Sequence, residues 1–283
     1  VKEVKLHQVL DRPAGDRFEA SGVCTKDGIG CVIFDNSPYI ACIGLPLSRK
    51  SKNNRLIRLA GLSAGYEDIA YDSRRRRFFV LIEGLEFTPG TFQAKIEEFD
   101  DNLNYLSSGW ADFPLRRRNK GLEGLACVYR DGKPYLLGLC EGNKCKGGAA
   151  GRVPGGGRIQ VFKKRKHRWD HVRTIKLPKT LLFEDYASLD VMRHRIAVVS
   201  QASSLLWIGS LKASSWNFAD QGYVYQFPRN HKGNTVYCNI EGVAWLNPDR
   251  VIVVSDKTKP DEQGKRCRKK DQSIHMFDIP KPR

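Results

Sequence analysis

A glutamate followed by small and apolar residues recurs five times along this 283-residue chain. The stretches are Phe18-Glu19-Ala20-Ser21-Gly22-Val23, Tyr66-Glu67-Asp68-Ile69-Ala70-Tyr71, Leu122-Glu123-Gly124-Leu125-Ala126-Cys127, Phe183-Glu184-Asp185-Tyr186-Ala187-Ser188 and Ile240-Glu241-Gly242-Val243-Ala244-Trp245. Successive glutamates lie 48 to 61 residues apart. A unit of that size cannot bury an apolar face alone, so its repetition points to a stacked or radial architecture.

Within each unit the chain reads as short β-branched and aromatic runs separated by Gly, Asp, Asn and Pro, the pattern of strands and turns. The second unit is the clearest. An inner strand leads from Glu67 to Tyr71, with a turn at Asp72-Ser73-Arg74 and strands at 78–82, 95–99 and 103–108. A single turn of helix is expected only around 211–217. Four strands per unit and five units predict an all-β, five-bladed β-propeller, with six blades as the alternative count. Residues 1–283 then form one propeller domain. The last unit is one strand short, and residues 4–10 are expected to supply it beside 274–279, closing the ring. Each second strand ends in a polar residue, namely Asp35, Glu83, Glu141, Gln201 and Asp256, 15 to 18 residues after its glutamate. In an antiparallel pair the start of one strand and the end of the next share one sheet end, so both polar rings are predicted at one mouth of the central channel.

Eight cysteines bear on compartment and loop structure. Cys31 and Cys42 are equidistant from the turn at Asn36-Ser37 and are expected opposite each other, within disulfide reach. Cys140 can pair with Cys145 or with Cys267, and free buried thiols are the alternative to disulfides. No zinc-type Cys/His spacing occurs. A chain opening on Val1 with paired cysteines is expected to be a processed, secreted protein, and no apolar run reaches the ~20 residues of a membrane span. The Gly-rich segment 147–157 is followed by strand-like sequence rather than a helix, which argues against a nucleotide-phosphate cradle.

The net charge of +17 favours an anionic small molecule or polyanion as partner. Clusters at 74–77 and 163–168 fall in turns opposite the acidic mouth and read as solvated faces. Arg116, Arg117, Arg118, Lys120, Arg229 and His231 precede inner strands and border the mouth, where they are the candidate substrate-binding residues. No specific nucleic-acid motif is present, and a monomer is expected.

Five carboxylates converging on a narrow channel cannot all stay ionised without a counter-charge. A hard cation, pairing with Arg or Lys, or capping of backbone amides by the glutamates would each supply balance. Calcium suits an oxygen cage of this kind. The neighbours in Glu67-Asp68 and Glu184-Asp185 are expected on opposite faces of a strand, so that neither pair chelates one ion.

Leu122-Glu123-Gly124-Leu125-Ala126 with Leu136-Leu137-Gly138-Leu139-Cys140-Glu141, and Ile240-Glu241-Gly242-Val243-Ala244-Trp245 with Val253-Val254-Ser255-Asp256, resemble the phytase-like and esterase-like β-propeller superfamily. The pattern is also similar to calcium-dependent lactonase propellers and calcium-activated apyrases. The resemblance implies axial Ca2+ held by Glu19, Glu67, Glu123, Glu184 and Glu241. The Asn-Gly pair that opens one lactonase blade has no counterpart here.

Two functions follow as expectations. One is a calcium-supported hydrolase of an anionic, phosphate-ester-like substrate, with Asp256 or Glu141 as general base. The other is a non-catalytic propeller that binds a protein partner or polyanion through its long top loops. A nucleophilic Ser-His-acid set is not legible, with His231 and His275 as the only histidines of note.

Overall fold

A computed structural model describes residues 1–61, 65–115, 121–257 and 263–281. The β-branched runs form strands and the Gly, Asp and Asn clusters turn the chain between them, giving an all-β molecule. Strand β1 (Lys2–Lys5) is followed by a single helical turn, α1 (Leu6–Val9). Residues 4–10 therefore do not continue as one strand. Leu6 and Val9 turn inward to fill the apolar layer beside the ring-closing strands.

Five four-stranded antiparallel units follow. The first contains β2 (Ala20–Lys26), β3 (Ile29–Phe34), β4 (Ser37–Gly44) and β5 (Arg55–Arg58). The second contains β6 (Tyr66–Asp72), β7 (Arg77–Thr88), β8 (Thr91–Asp100) and β9 (Tyr105–Asp112). The third contains β10 (Leu122–Arg130), β11 (Lys133–Cys140), β12 (Arg158–Arg165) and β13 (Arg168–Lys176). The fourth contains β14 (Ser188–Met192), β15 (Arg195–Ser200), β16 (Leu205–Ser210) and β17 (Tyr223–Gln226). The fifth is β18 (Ile240–Asn247), β19 (Arg250–Ser255), β20 (Ser273–Asp278) and, from the other end of the chain, β1. Val4 pairs with Ile274 and Glu3 with His275, so the N-terminal strand closes the last unit. The outer strands β9 and β13 pair in parallel over Arg168↔Trp110 to Asp170↔Asp112, which joins the second and third units into one eight-stranded sheet. The expected helix at 211–217 is replaced by a loop bridged between Leu211 and Phe218.

The inner strands pack in a closed circuit: β2 on β6, β6 on β10, β10 on β14, β14 on β18, and β18 back on β2. A separate apolar cluster fills each seam. Val32 and Ala41 meet Ile252 and Ile274 between the first and fifth units. Ile33 and Ile40 meet Ile69 and Val80 at the next seam, and Leu81 and Ile96 meet Leu125 and Leu136 at the one after. Leu139 and Val161 meet Ile196 and Val198, and Val199 meets Val243 and Val251.

Four inner strands open with a β-bulge, at Ala20/Gly22, Tyr66/Asp68, Leu122/Gly124 and Ile240/Gly242. A bulge leaves one residue outside the ladder and re-aims it. The skipped residues are Ser21, Glu67, Glu123 and Glu241. The repeated Glu-Gly of the sequence is thus a bulge signature. The glycine follows from crowding at the axis: a Cβ on Gly22 would lie 2.5 Å from Asp68 Oδ1, and one on Gly242 would lie 3.0 Å from the backbone of Gly22.

Asp68 and Ser188 occupy the equivalent position in the second and fourth units, and their side chains bridge across the axis. Asp68 accepts hydrogen bonds from the Ile69 N–H (2.8 Å), the Leu125 N–H (2.9 Å) and the Ser188 hydroxyl (2.8 Å). Ser188 Oγ in turn accepts from the Val243 N–H at 3.2 Å. One layer further along, Asp190 accepts from the Val191 and Trp245 N–H groups, each at 2.7 Å. Burial raises Asp190 to about 6 and raises Asp68 as well, against the lowering effect of its donors. Glu67 lines the cavity at the mouth, whereas Asp68 is not among the residues that line it and is bonded across the axis instead.

Cys31 faces Cys42 in register, as expected, and also faces Cys24. All three are buried free thiols within one apolar seam, so the expected Cys31–Cys42 disulfide is not formed. The disulfides are Cys140–Cys145 and Cys238–Cys267, the latter giving Cys267 a partner other than Cys140. The basic clusters opposite the mouth have local partners: Arg77 and Lys164 pair with Glu98, Arg76 with Asp101, and Arg74 stacks over Tyr129. Among the described residues no helix is long and apolar enough to cross a membrane.

Replacing Gly22 with Ala forces a methyl group against the Asp68 carboxylate. Overpacking of this kind costs about 1–3 kcal/mol, so the urea midpoint is expected to fall with an unchanged m-value. An unchanged midpoint would mean that the axis is not close-packed.

Candidate functional site

The bulges and the ends of the second strands meet at one end of the axis, where they line a cavity of about 400 Å³. Glu67, Glu123 and Glu241 enter it from the bulges. Asp35, Glu141, Gln201 and Asp256 enter from the residue after each second strand, the placement that their spacing predicts, whereas Glu83 enters from within β7, which runs on to Thr88 past a break in its register between Ile82 and Leu85. Glu83, Glu123 and Glu141 each direct a carboxylate oxygen to a point where all three lie within 4.8 Å of one another. Two oxygens bound to one calcium at 2.3–2.6 Å can be no more than about 5 Å apart, so this trio matches the span of a common hard cation.

The cavity is strongly acidic, and its buried members respond. Burial pushes Glu123 well above the usual carboxylate range, and the neighbouring Glu67, Glu83, Glu141 and Glu241 push it further. Glu67 is raised for the same reason, with Glu83 and Asp35 as its main repelling neighbours, while a hydrogen bond with Glu123 partly relieves it. Two carboxyl groups can share such a bond only if one carries the proton. Glu241 accepts from Gln201 Nε2 at 2.5 Å, and Glu83 accepts from the Gly121 N–H at 3.0 Å.

Two of the five glutamates marked by the repeat do not sit at a bulge. Glu19 is two residues upstream of its unit's bulge residue, Ser21; it still lines the cavity and is ion-paired with Arg17. Glu184 is exposed and lies outside the axial cavity. The strand of its unit begins at Ser188, Ala187 occupies the equivalent of the bulge, and Asp185 is the acid that reaches the cavity. The repeated motif is shifted by three residues here, so matching on the letter Glu selected the wrong acid for the axial position. Arg229 and His231 lie in an exposed turn, where Arg229 donates to the Gly233 carbonyl, and neither lines the axial cavity. Arg116, Arg117, Arg118 and Lys120 lie outside the described residues.

A second cavity of about 610 Å³ adjoins the first and shares Glu141, Asp185 and Gln201 with it. One wall is the Gly-rich loop after β11, the other residues 263–267, with Thr235 and Cys238 beside them. The first is tied by Cys140–Cys145 and the second by Cys238–Cys267. Asn143, fully buried, anchors the Gly-rich loop. Its Nδ2 donates to the carbonyls of Gly151 (2.9 Å) and Phe183 (3.0 Å), and its Oδ1 accepts from the Gly156 N–H (2.8 Å) and the Tyr186 hydroxyl (3.1 Å). Gly142 and Gly151 close on the Lys146 carbonyl so tightly that a Cβ on either would come within about 2 Å of it. These residues carry no motif that sequence reasoning could have weighted.

A Ser-His-acid arrangement also emerges. Ser255 Oγ lies 2.8 Å from His275 Nε2, and His275 Nδ1 lies 3.2 Å from Glu3 Oε2. Glu3 is also bonded by the Tyr237 hydroxyl and by Lys270. Ser255 and His275 are fully buried, with 1% and 0% of their surface exposed, so no substrate reaches the serine. The relay fastens β1 to β19 and β20 at ring closure. The hydrogen bond from His275 holds Glu3 down at about 2, and burial lowers His275.

No protein-family model matches this chain. No curated protein matches it either. Solved structures do. A glutaminyl cyclase from Myxococcus xanthus aligns with a TM-score of 0.53 at 12% identity, over 99% of this chain and 96% of that one. A GH43_1 enzyme from Xanthomonas citri complexed with xylotriose aligns with a TM-score of 0.54 at 11% identity, over 98% and 89%. A protein of unknown function from Bacteroides caccae aligns with a TM-score of 0.51 at 10% identity, over 94% and 80%. The fold is a β-propeller. At such identities the likeness extends to the fold alone, and membership in the phytase-like or esterase-like group is not supported.

The acidic cavity has a pH signature in chelator-treated protein. Glu67 and Glu123 have folded-state pKa values above the unfolded value of about 4.3, so the native state holds more protons above that pH. Stability is therefore expected to fall as pH rises from about 4.3 through the raised values. Glu123→Gln removes one of the two titrations and should flatten this decline in urea unfolding followed between pH 5 and pH 9. An undiminished slope would show that the carboxylates ionise freely.

Proposed function

We propose that the protein is a secreted, monomeric, five-bladed β-propeller hydrolase whose acidic mouth binds calcium and acts on an anionic, phosphate-ester-like substrate. Each four-stranded unit is one blade, and residues 1–283 make a single domain. The convergence of Glu83, Glu123 and Glu141 within the span of one hard cation carries this reading. Their all-oxygen donor set suits calcium, with Glu67 and Glu241 in the same cavity to complete or orient the site. When bound, calcium supplies Lewis-acid polarisation and a more acidic water. Asp256 opens into the same cavity and is the general base in this reading, while Glu141 belongs to the cation site. Gln201 orients Glu241 through its amide. The two disulfides at the mouth support an oxidising, extracytoplasmic location.

A second reading has its own observation. The Glu67–Glu123 hydrogen bond lets the mouth hold a proton in place of a metal. In that case the acids are architectural, and the charge of +17 serves a binding propeller that takes a polyanion or protein through its top loops.

Calcium separates the two. Saturation to about 100 times Kd is expected to stabilise chelator-treated protein by about 2.7 kcal/mol, and the shift should vanish in a Glu83→Gln/Glu123→Gln variant. A wild-type melting curve indifferent to calcium rejects the metal reading. A screen of phosphate esters, nucleotides and lactones should then reveal calcium-dependent turnover that drops by ~10²–10⁴-fold in Asp256→Asn. Absence of turnover on every class would leave the binding module.

A further inference from the structure

We infer that the outer cavity is a phosphate subsite in which Lys146, Arg152 and Arg266 grip the anionic end of a small hydrophilic ligand. This deepens the hydrolase reading and rests on it for the direction in which the ligand points. All three cations line the 610 Å³ cavity. Lys146 stands on the disulfide-tied Gly-rich loop, Arg152 at the end of its single helical turn, and Arg266 on the opposite loop beside Cys267. Arg266 donates its Nε–H to the Thr235 carbonyl at 3.0 Å, which fixes the guanidinium plane, and among the described residues its terminal nitrogens have no ion pair. The side chains of Lys146 and Arg152 have no ion pair within the protein among the described residues, unlike the basic clusters on the far face.

The polarity of the cavity sets the chemistry of its occupant. Glu141 and Asp185 border the axial cavity as well, while the three cations and one further acid, Glu184, line the outer cavity alone. A ligand that satisfies both has its anionic group outward and its reacting or hydroxyl-bearing end inward. Ser203, Ser204 and Thr235 also line it, the Ser204 hydroxyl donating to the Tyr237 carbonyl at 2.8 Å. No aromatic or branched aliphatic side chain lines the cavity among the described residues, so it has no platform for a base or ring to stack on. A tetrahedral phosphate with three acceptor oxygens matches two forked guanidinium groups and an ammonium better than a single carboxylate would. The walls are held before any ligand arrives by Asn143, by the Gly142/Gly151 clasp on the Lys146 carbonyl and by both disulfides, so little ordering cost falls on binding.

The test is calorimetric titration with inorganic phosphate, and in parallel with glycerol phosphate, at about 0.15 M salt, where charges beyond ~8 Å are screened. Wild-type protein is expected to bind both. The Lys146→Ala/Arg152→Ala/Arg266→Ala variant should bind roughly tenfold more weakly or worse, and an Arg74→Ala/Arg75→Ala control on the far face should be unchanged. Calcium-induced stabilisation should persist in the triple variant, which also shows that it is folded. Equal phosphate affinity in the triple variant, or equal weakening in the control, overturns the subsite. Phosphate binding without turnover on any ester upholds the subsite while removing the hydrolase reading. Calcium-dependent turnover of neutral lactones by a protein that does not bind phosphate does the reverse.

Discussion

An inner strand of a closed ring has one hydrogen-bonding edge in its own sheet and another facing the axis, where no further strand exists. Its axial N–H groups must find partners or remain buried and unpaired, at a cost of about 1–3 kcal/mol each. In this protein Asp68, Ser188 and Asp190 accept from Ile69, Leu125, Val243, Val191 and Trp245, spanning units far apart in sequence. The rest of the core depends on this arrangement. The acceptors fit only because Gly22, Gly124 and Gly242 leave room at the same level, and the glycines in turn require the bulges that precede them.

The bulges explain why the mouth is acidic. Each one turns an extra residue out of the ladder toward the channel, and in three units that residue is a glutamate. The adjacent end of the second strand adds another acid at the same level. Crowding raises the proton affinity of Glu67 and Glu123 through burial and mutual repulsion, so a cation entering there must displace protons and binds more tightly as pH rises. The outer cavity follows from a different device. Disulfides and a buried asparagine tie the loops that line it, and their cations and acids share one cavity.

Much of this was legible before any coordinates. The repeat length, the strand pattern and the return of the N-terminal strand to the last unit follow from periodicity, because a blade that cannot bury its faces alone must recur. The second polar ring was legible as well: Asp35, Glu83, Glu141, Gln201 and Asp256 all line the axial cavity. Letter matching failed at Glu184, where the chain reaches its inner strand three residues later and Asp185 takes the axial place. Symmetry about the turn placed Cys31 opposite Cys42, yet proximity in register does not oxidise a thiol pair inside an apolar seam.

The sequence by itself determined what is local and periodic: which residues are strands, where they turn, and that glutamates recur at one end of every unit but with variable phase. Only the tertiary structure decided which acids share a cavity, because a bulge changes a side chain's direction without changing the spacing of letters. It also decided that Asp68 bridges units across the axis, that Ser255, His275 and Glu3 form a clasp at ring closure, and that Lys146, Arg152 and Arg266 line one cavity. Those contacts join residues up to 272 positions apart, and no local rule of backbone or side chain reaches across such a distance.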